Sequence, residues 1–447
     1  MKTTGIVMGL LAAFIAMNSL AVESEISGVM VRQRWPWSRR VDIDYVLNCD
    51  PGQSVCVTVE AYDGDVPLPF PPSSFSGDLY NVCRGARRIV WDPTVTAYTN
   101  ASVLSKFRVE LTTTPVPLYM IVDLTRDAGV TGQVVNVYEE DLTNGLWGAW
   151  VRNPVTNKGS VIESVVWTGV ATNDIYKTDK LVLRRIPATT FKAGEYPPTV
   201  STTLTKDFYA GVFEVTQWQW EMITGDKPSF FDNANYYEAR PVEKVSYEDI
   251  RGATNSTPTV NWPVTGHTVV APDSFLGQLR AKTGLTDIDL PTAAQSECLA
   301  RAGTQTYYND GELAAPEDGV SQSTSLSNLF LDVVGRYRYN GGFSYNGAAV
   351  PAHNVTLENG SAKVGSYRPN AWGLYDTTGN LWELCLDWKG AATGGIDPSG
   401  EKSGTQRVYR NGCWNAGAGS CRVGSHGGYF PTSQGYSIGC RLVRTMP

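Results

Sequence analysis

Between Val29 and about Leu111 apolar residues alternate with polar ones, as in Val41, Ile43, Tyr45 and Leu47 and again in Val55, Val57, Val59 and Ala61. A period of two puts every second side chain on one face, so these runs predict half-buried strands. Asp50-Pro51-Gly52 supplies a turn between them, Pro fixing φ and Gly tolerating a positive φ. With further runs at 88–91 and 107–111 the pattern predicts a small β-sandwich of immunoglobulin or fibronectin type III character over residues 22–112. The Thr/Pro stretch 112–117 reads as a linker. Runs 119–124, 134–138 and 161–167 read as further strands, in a segment 113–180 to which the pattern assigns no fold. From Leu181 onward the character changes to short apolar strands, helical patterns at 217–224 and 293–302, and long Gly/Asn/Ser loops such as 321–327. Long loops on a scaffold are where function usually sits.

At the N-terminus Lys2 precedes an apolar run over 5–16, and Ser19-Leu20-Ala21 places small residues where signal peptidase cuts. This pattern predicts an export signal over 1–21, a mature chain starting near Val22, and a secreted, periplasmic or extracellular location. The run is shorter than the roughly 18 residues of a membrane-spanning helix, and no later run is long enough. A net charge of -7 gives no overall positive field for nucleic acid or anionic lipid. The basic cluster Arg32, Arg34, Arg39 and Arg40 around Trp35-Pro36-Trp37 reads as a solvated strand edge. Export also makes the eight cysteines disulfide candidates, and no CxxC pair suggests zinc. The 44 Gly and 25 Pro among 447 residues favour a turn-rich, β-leaning fold with few, short helices.

Five segments then fall in a recognisable order: 181–191; Phe213-Glu214-Val215-Thr216-Gln217; Leu290-Pro291-Thr292 with Glu297 and Arg301-Ala302-Gly303; 369–376 running into Gly379-Asn380-Leu381-Trp382-Glu383 and Asp387-Trp388; and Arg407-Val408, Asn411-Gly412-Cys413-Trp414, Cys421-Arg422 and 439–444. Together they resemble the sulfatase-modifying-factor, or formylglycine-generating-enzyme-like, family. The resemblance implies an α+β, loop-rich, C-type-lectin-like domain over 181–447. Within it Thr216 is expected to N-cap a helix.

In the family's oxidases two cysteine thiolates bind copper and activate oxygen to convert a sulfatase cysteine to formylglycine. Here the second position falls on Cys421 and the first on Ala416. Soft thiolate pairs are what Cu(I) requires, so one sulfur does not make that site. Export instead favours a disulfide between Cys421 and Cys385, which follows the Trp382-Glu383 turn, and the resemblance implies a second between Cys413 and Cys440, which replace the family's Ser and Phe on strands it would place side by side. Cys49, Cys56 and Cys83 leave one pair undetermined, and Cys298 reads as a buried helix thiol. His267, His353 and His426 are too far apart in sequence to suggest a three-His iron site, and no GxSxG, P-loop or HExxH occurs.

Asp376 and Glu383 bracket a Gly-containing loop, a spacing that suits an oxygen-rich calcium shell and equally a plain turn with a Glu bonded to backbone amides. The resemblance implies structural calcium at Asp376, Gly379, Leu381 and Glu383. The aromatics Trp372, Tyr375, Trp382, Trp388 and Trp414 read mostly as core. Residues 415–437, rich in small residues and Tyr, resemble an adaptable binding surface with Asn415, His426, Tyr429 and Tyr436 as contacts, and equally a solvent loop. Two functions follow. One is a catalytically degenerate, lectin-fold head displaying a site for a protein or glycan ligand; the other is a copper- and oxygen-dependent oxidase with Cys421 as its surviving ligand.

Overall fold

The computed structural model describes residues 24–445 except 35–36, 51–53, 69, 71–73, 81, 97–103, 131, 138–169, 171, 196, 234–235, 254–269, 310–327, 329, 342–358, 391–393 and 402. The expected export signal, the Pro51-Gly52 turn, the strand at 161–167, the Ser loop at 321–327, His267 and His353 lie outside the described residues. The chain divides into two compact units, Met1–Asp78 with Val82–Pro115, and Val116–Pro447 with Leu79–Asn81.

The first unit is built from antiparallel strands. One sheet runs in the order Glu25–Gln33, Val41–Asn48, Gly85–Trp91, Phe75–Gly77. In the other, Ser54–Asp63 pairs with Val66–Leu68 and Val82–Cys83, and also with Phe107–Pro115. The alternation seen in the sequence becomes burial: Ile43, Tyr45, Leu47, Val55, Val57 and Ile89 face inward, and Trp91 stacks against Phe107. The expected linker at 112–117 is corrected here. Thr112, Thr113 and Thr114 pair with Thr58, Val57 and Cys56, so the stretch is largely strand. β-branched Thr fits a pleated surface, and strand pairing outweighs its loop-like composition.

The second unit has a six-stranded sheet in the order Val134–Val137, Tyr119–Asp123, Lys180–Ile186, Phe208–Gly211, Val443–Thr445, Ile288–Asp289. Its first two strands come from the segment left without a fold, which from Val116 onward belongs to this unit. A second sheet runs His426–Tyr429, Arg407–Arg410, Trp382–Trp388, Ile438–Gly439, the last pair parallel. Helix Gln217–Thr224 starts at Thr216, whose hydroxyl accepts from Gln219 N while Gln219 Oε1 accepts from Thr216 N at 3.1 Å; Gly225, at φ 79, ends it. Helix Ala293–Arg301 starts on the same device, Thr292 with Gln295. Helices Tyr247–Arg251, Phe275–Thr283 and Leu331–Val334 are additional to the pattern. Trp220 stacks on Phe275 with ring centroids 4.5 Å apart, closing a core that includes Tyr209, Val242, Leu276, Leu384 and Leu442.

Candidate functional site

After strand Arg407–Arg410, Asn411 and Gly412 both take φ 78 and turn the chain back on itself. Asn tolerates this left-handed conformation and Gly has no Cβ to oppose it. A Cβ on Gly412 would lie 2.4 Å from Cys421 Sγ, so the chain passes directly over that sulfur. Cys421 is fully buried among Tyr308, Leu331, Val334, Tyr337 and Ala418, and Ala416 packs against the same cluster. Its Sγ donates to the Cys413 carbonyl at 3.9 Å, and burial, then the neighbouring Cys413, pushes its thiol up. One sulfur beside an alanine methyl does not supply the paired thiolates that Cu(I) takes.

The two expected disulfides are not formed. Cys385, Cys413, Cys421 and Cys440 are buried free thiols. Cys385 Sγ approaches the Glu383 carbonyl at 3.8 Å, and the cluster that encloses Cys421 does not include it. Cys413 Sγ donates to Asn415 Oδ1 at 2.9 Å, and burial pushes this thiol up to about 12. Cys440 belongs instead to the main core, its carbonyl accepting from Val215 N at 2.9 Å. Substitution at two positions on nearby strands does not aim the two Cβ vectors at each other. Cys298 is buried on helix Ala293–Arg301.

Beneath this loop lies a buried ionic network. Arg441 donates to both oxygens of Glu383 at 2.7–3.2 Å and to the carbonyls of Gly211, Val212 and Tyr375. Asn411 Nδ2 also donates to Glu383 Oε2. Glu214 accepts from Asn380 Nδ2 at 2.6 Å and from Leu381 N at 3.0 Å. Asp376, at φ 55, accepts from Gly365 N through Oδ2, while its Oδ1 is buried with no hydrogen-bond partner. Burial raises the pKa of all three acids, Asp376 to about 6 and Glu214 well above the carboxylate range, with the charges of Asp376 and Glu383 raising Glu214 further. The four residues expected around calcium thus divide. Asp376 has an unsatisfied oxygen that a cation would fit, whereas Glu383 is committed to Arg441 and Asn411. Among the described residues, no group of three or more His, Cys, Asp or Glu is placed to hold a metal ion. Sequence reasoning quoted Glu214 in its motif and gave it no role.

Of the expected ligand contacts, Tyr436 packs against Trp414, whose indole N–H donates to the Tyr436 carbonyl at 3.0 Å, and Asn415 follows Trp414 in the chain with its Oδ1 accepting from Cys413 Sγ. Tyr429 lies against Gly435, close enough for Tyr436 to raise its pKa after burial. His426 does not join them. It opens strand His426–Tyr429 opposite Arg410 and lines a cleft with Glu297 and Asp387, its pKa held down by burial and then by Arg410. Phe230 was missed: its exposed ring lies 6.1 Å from that of Tyr436. The backbone N–H groups of Phe230 and Phe231 both donate to buried Glu243, at 2.5 and 2.9 Å. Trp414 and Tyr375 are core, while Trp372, Trp382 and Trp388 are half-buried.

A loop-rich domain with three sheets among its described residues, built on these motifs, defines the class. The chain belongs to the sulfatase-modifying factor enzyme 1-like family, whose domain matches residues 170–446. It is 25% identical over 283 residues to the chaperone protein LppX of Paenibacillus barcinonensis, covering 60% of this chain and 90% of that protein. It is 36% identical over 165 residues to the formylglycine-generating enzyme of Streptomyces coelicolor, covering 34% of this chain and 46% of the enzyme. The match thus spans about half the length of that enzyme. Treponema denticola variable protein 1 superposes with a TM-score of 0.42 at 23% identity, over 60% of this chain and 96% of that one. No helix among the described residues is long and apolar enough to cross a membrane.

Proposed function

We propose that this is an exported protein, secreted, periplasmic or extracellular, whose sulfatase-modifying-factor domain has lost copper-dependent oxidase chemistry and serves as a lectin-fold head for a protein or glycan ligand. The observation that carries this reading is Cys421, sealed in an apolar cluster with Ala416 packed where a second sulfur would be needed. A relative matched over 90% of its length is called a chaperone, which accords with a non-catalytic use of the domain. The ligand surface in this reading is the loop carrying Asn415, Tyr429 and Tyr436, extended by Phe230 and without His426. A sulfatase-type peptide with its target cysteine, incubated with the protein, Cu(I) and oxygen, is expected to keep its thiol by mass spectrometry. Ala416→Cys is expected to stay inert as well, because Cys421 remains buried. Copper-dependent aldehyde formation that Cys421→Ser abolishes would instead establish the oxidase.

The same reading includes one structural calcium ion, held by Asp376 Oδ1 and backbone carbonyls of 379–381. A hard cation takes such oxygens and would fix the loop beneath the ligand surface. Chelation is then expected to lower the melting temperature by roughly 5 °C or more. Asp376→Asn is expected to remove the response to chelator. Identical melting curves with and without chelator, on protein that carries no calcium by elemental analysis, would discard the ion.

A further inference from the structure

The strand Glu25–Gln33 is an edge of the four-stranded sheet of the first unit, and it approaches Phe107–Pro115, where Ser24 Oγ shares a hydrogen bond with Thr113 Oγ1 at 2.6 Å just before its start. Among the described residues its only strand partner is Val41–Asn48, and every residue from Gly28 to Gln33 is exposed. Val29, Met30 and Val31 are 40%, 57% and 36% exposed. The other long edge, Phe107–Pro115, shows solvent Glu110, Thr112 and Thr114 at its exposed positions. An edge strand that exposes such apolar side chains along an unpaired backbone is a template for pairing with another chain, provided that chain matches its charges and bulge.

The bulge in this strand decides which pairing it admits. The register shifts between Ser27 and Met30, with Gly28 at φ 62. Ile26 lies opposite Leu47 and Val31 opposite Ile43, both partners fully buried, so Ile26 and Val31 share the core face. Glu25, Ser27, Met30 and Arg32 lie opposite Asn48, Val46, Asp44 and Asp42 and share the outer face. Without the bulge Ile26 and Val31, five apart, would point to opposite faces. With it, an antiparallel copy of the same strand, centred between Gly28 and Val29, sets Glu25 against Arg32, Ile26 against Val31 and Ser27 against Met30. Each pair then lies on a common face, with opposite charges at both ends.

We propose that two copies of this chain associate through that edge, joining their four-stranded sheets across a two-fold axis at the bulge. Self-complementarity is what an isologous contact requires. A strand edge buries less than the about 1,200 Å² of a standard interface, so the dimer is weak and concentration-dependent. Sedimentation equilibrium of the purified protein between about 5 and 500 μM is expected to show monomer passing into dimer. Val31→Lys is expected to weaken association at least tenfold while leaving the circular dichroism spectrum unchanged, since Val31 sits at the sheet edge, 36% exposed, and a lysine stem can carry its charge from there to solvent. The double variant Ile26→Cys, Val31→Cys is expected to give a covalent dimer on oxidation, resolved by non-reducing electrophoresis and mapped to a bridge between 26 and 31 of different chains. A protein that stays monomeric throughout overturns the proposal. So does a dimer indifferent to Val31→Lys, or one in which the engineered cysteines do not cross-link.

Discussion

Replacing Arg441 by Met is expected to lower the melting temperature of the C-terminal unit by about 10 °C, corresponding to a loss of roughly 3–5 kcal/mol. Arg441 and Glu383 are both fully buried and form a two-point ion pair. The guanidinium also satisfies three backbone carbonyls from two separate segments, so it ties strand Phe208–Gly211 and its exit to the 375–383 loop. Methionine fills similar volume and supplies neither the charge nor the donors. Three carboxyl groups, on Glu214, Asp376 and Glu383, would then share a site from which their permanent cation has gone. A buried charge without its partner costs several kcal/mol, much of it as proton uptake. Adding Glu383→Gln to Arg441→Met is expected to recover part of the loss, because an amide removes the stranded charge and keeps the bond to Asn411. Thermal unfolding of the three proteins at pH 7 tests this. A loss under about 1 kcal/mol for Arg441→Met, within the range of an exposed pair, would show that the network does not hold the loop.

What the sequence made legible was local. Helix Gln217–Thr224 announces itself through Thr216 and Gln219, a cap whose partners are three residues apart. The strands at 41–47 and 55–61 follow from alternation alone. Helix Phe275–Thr283 was illegible because Gly277 interrupts a short apolar pattern, and the helix is secured by Phe275 stacking on Trp220, 55 positions away by sequence number. The linker reading failed for a related reason. Thr112, Thr113 and Thr114 are loop-like by composition, and only the distant strand Ser54–Asp63 makes them β. The candidate site shows the same division. Asp376 and Glu383 were found from the motif, but that Glu383 faces Arg441 rather than a cation depends on chain segments 58 residues apart. Disulfide pairing failed because side-chain direction is not encoded in which residues replace which. His426 was grouped with Tyr429 by proximity in sequence, yet they occupy opposite ends of one strand, next to Arg410 and Arg407 respectively.

The stability of the C-terminal unit is expected to fall as pH rises from about 5 to 8, and Glu243 is a main cause. Its side chain is fully buried, with Oε1 accepting from Phe230 and Phe231 and Oε2 without a hydrogen-bond partner. Burial raises its pKa to about 7, against the lowering effect of those two amides. Asp387, which accepts from Ala293 N at the start of a helix, is raised to about 6 by burial. For an acid whose folded pKa lies above its unfolded value, the native state binds the proton more tightly. Its contribution is therefore full below the unfolded pKa and is lost as pH rises through the folded one. Glu243 loses it between about 4.5 and 7, and Asp387 between about 4 and 6, each worth roughly 3 kcal/mol at most. The acids held low by their partners, such as Asp123, whose hydrogen bonds outweigh its desolvation, titrate below this window. His426 works in the opposite sense, since its depressed pKa costs stability only as pH falls through the usual histidine range. It is one group against several. Glu243→Gln keeps an oxygen for Phe230 and Phe231 and removes the titration. Denaturant unfolding is expected to find the variant more stable than the parent at pH 8, by about 2–3 kcal/mol, and equal to it at pH 5. A parent protein whose stability rises from pH 5 to 8, or a variant that tracks it at both, would show that Glu243 ionises in the native state with its ordinary acidity and that the clip on Phe230 and Phe231 is not a buried neutral acid.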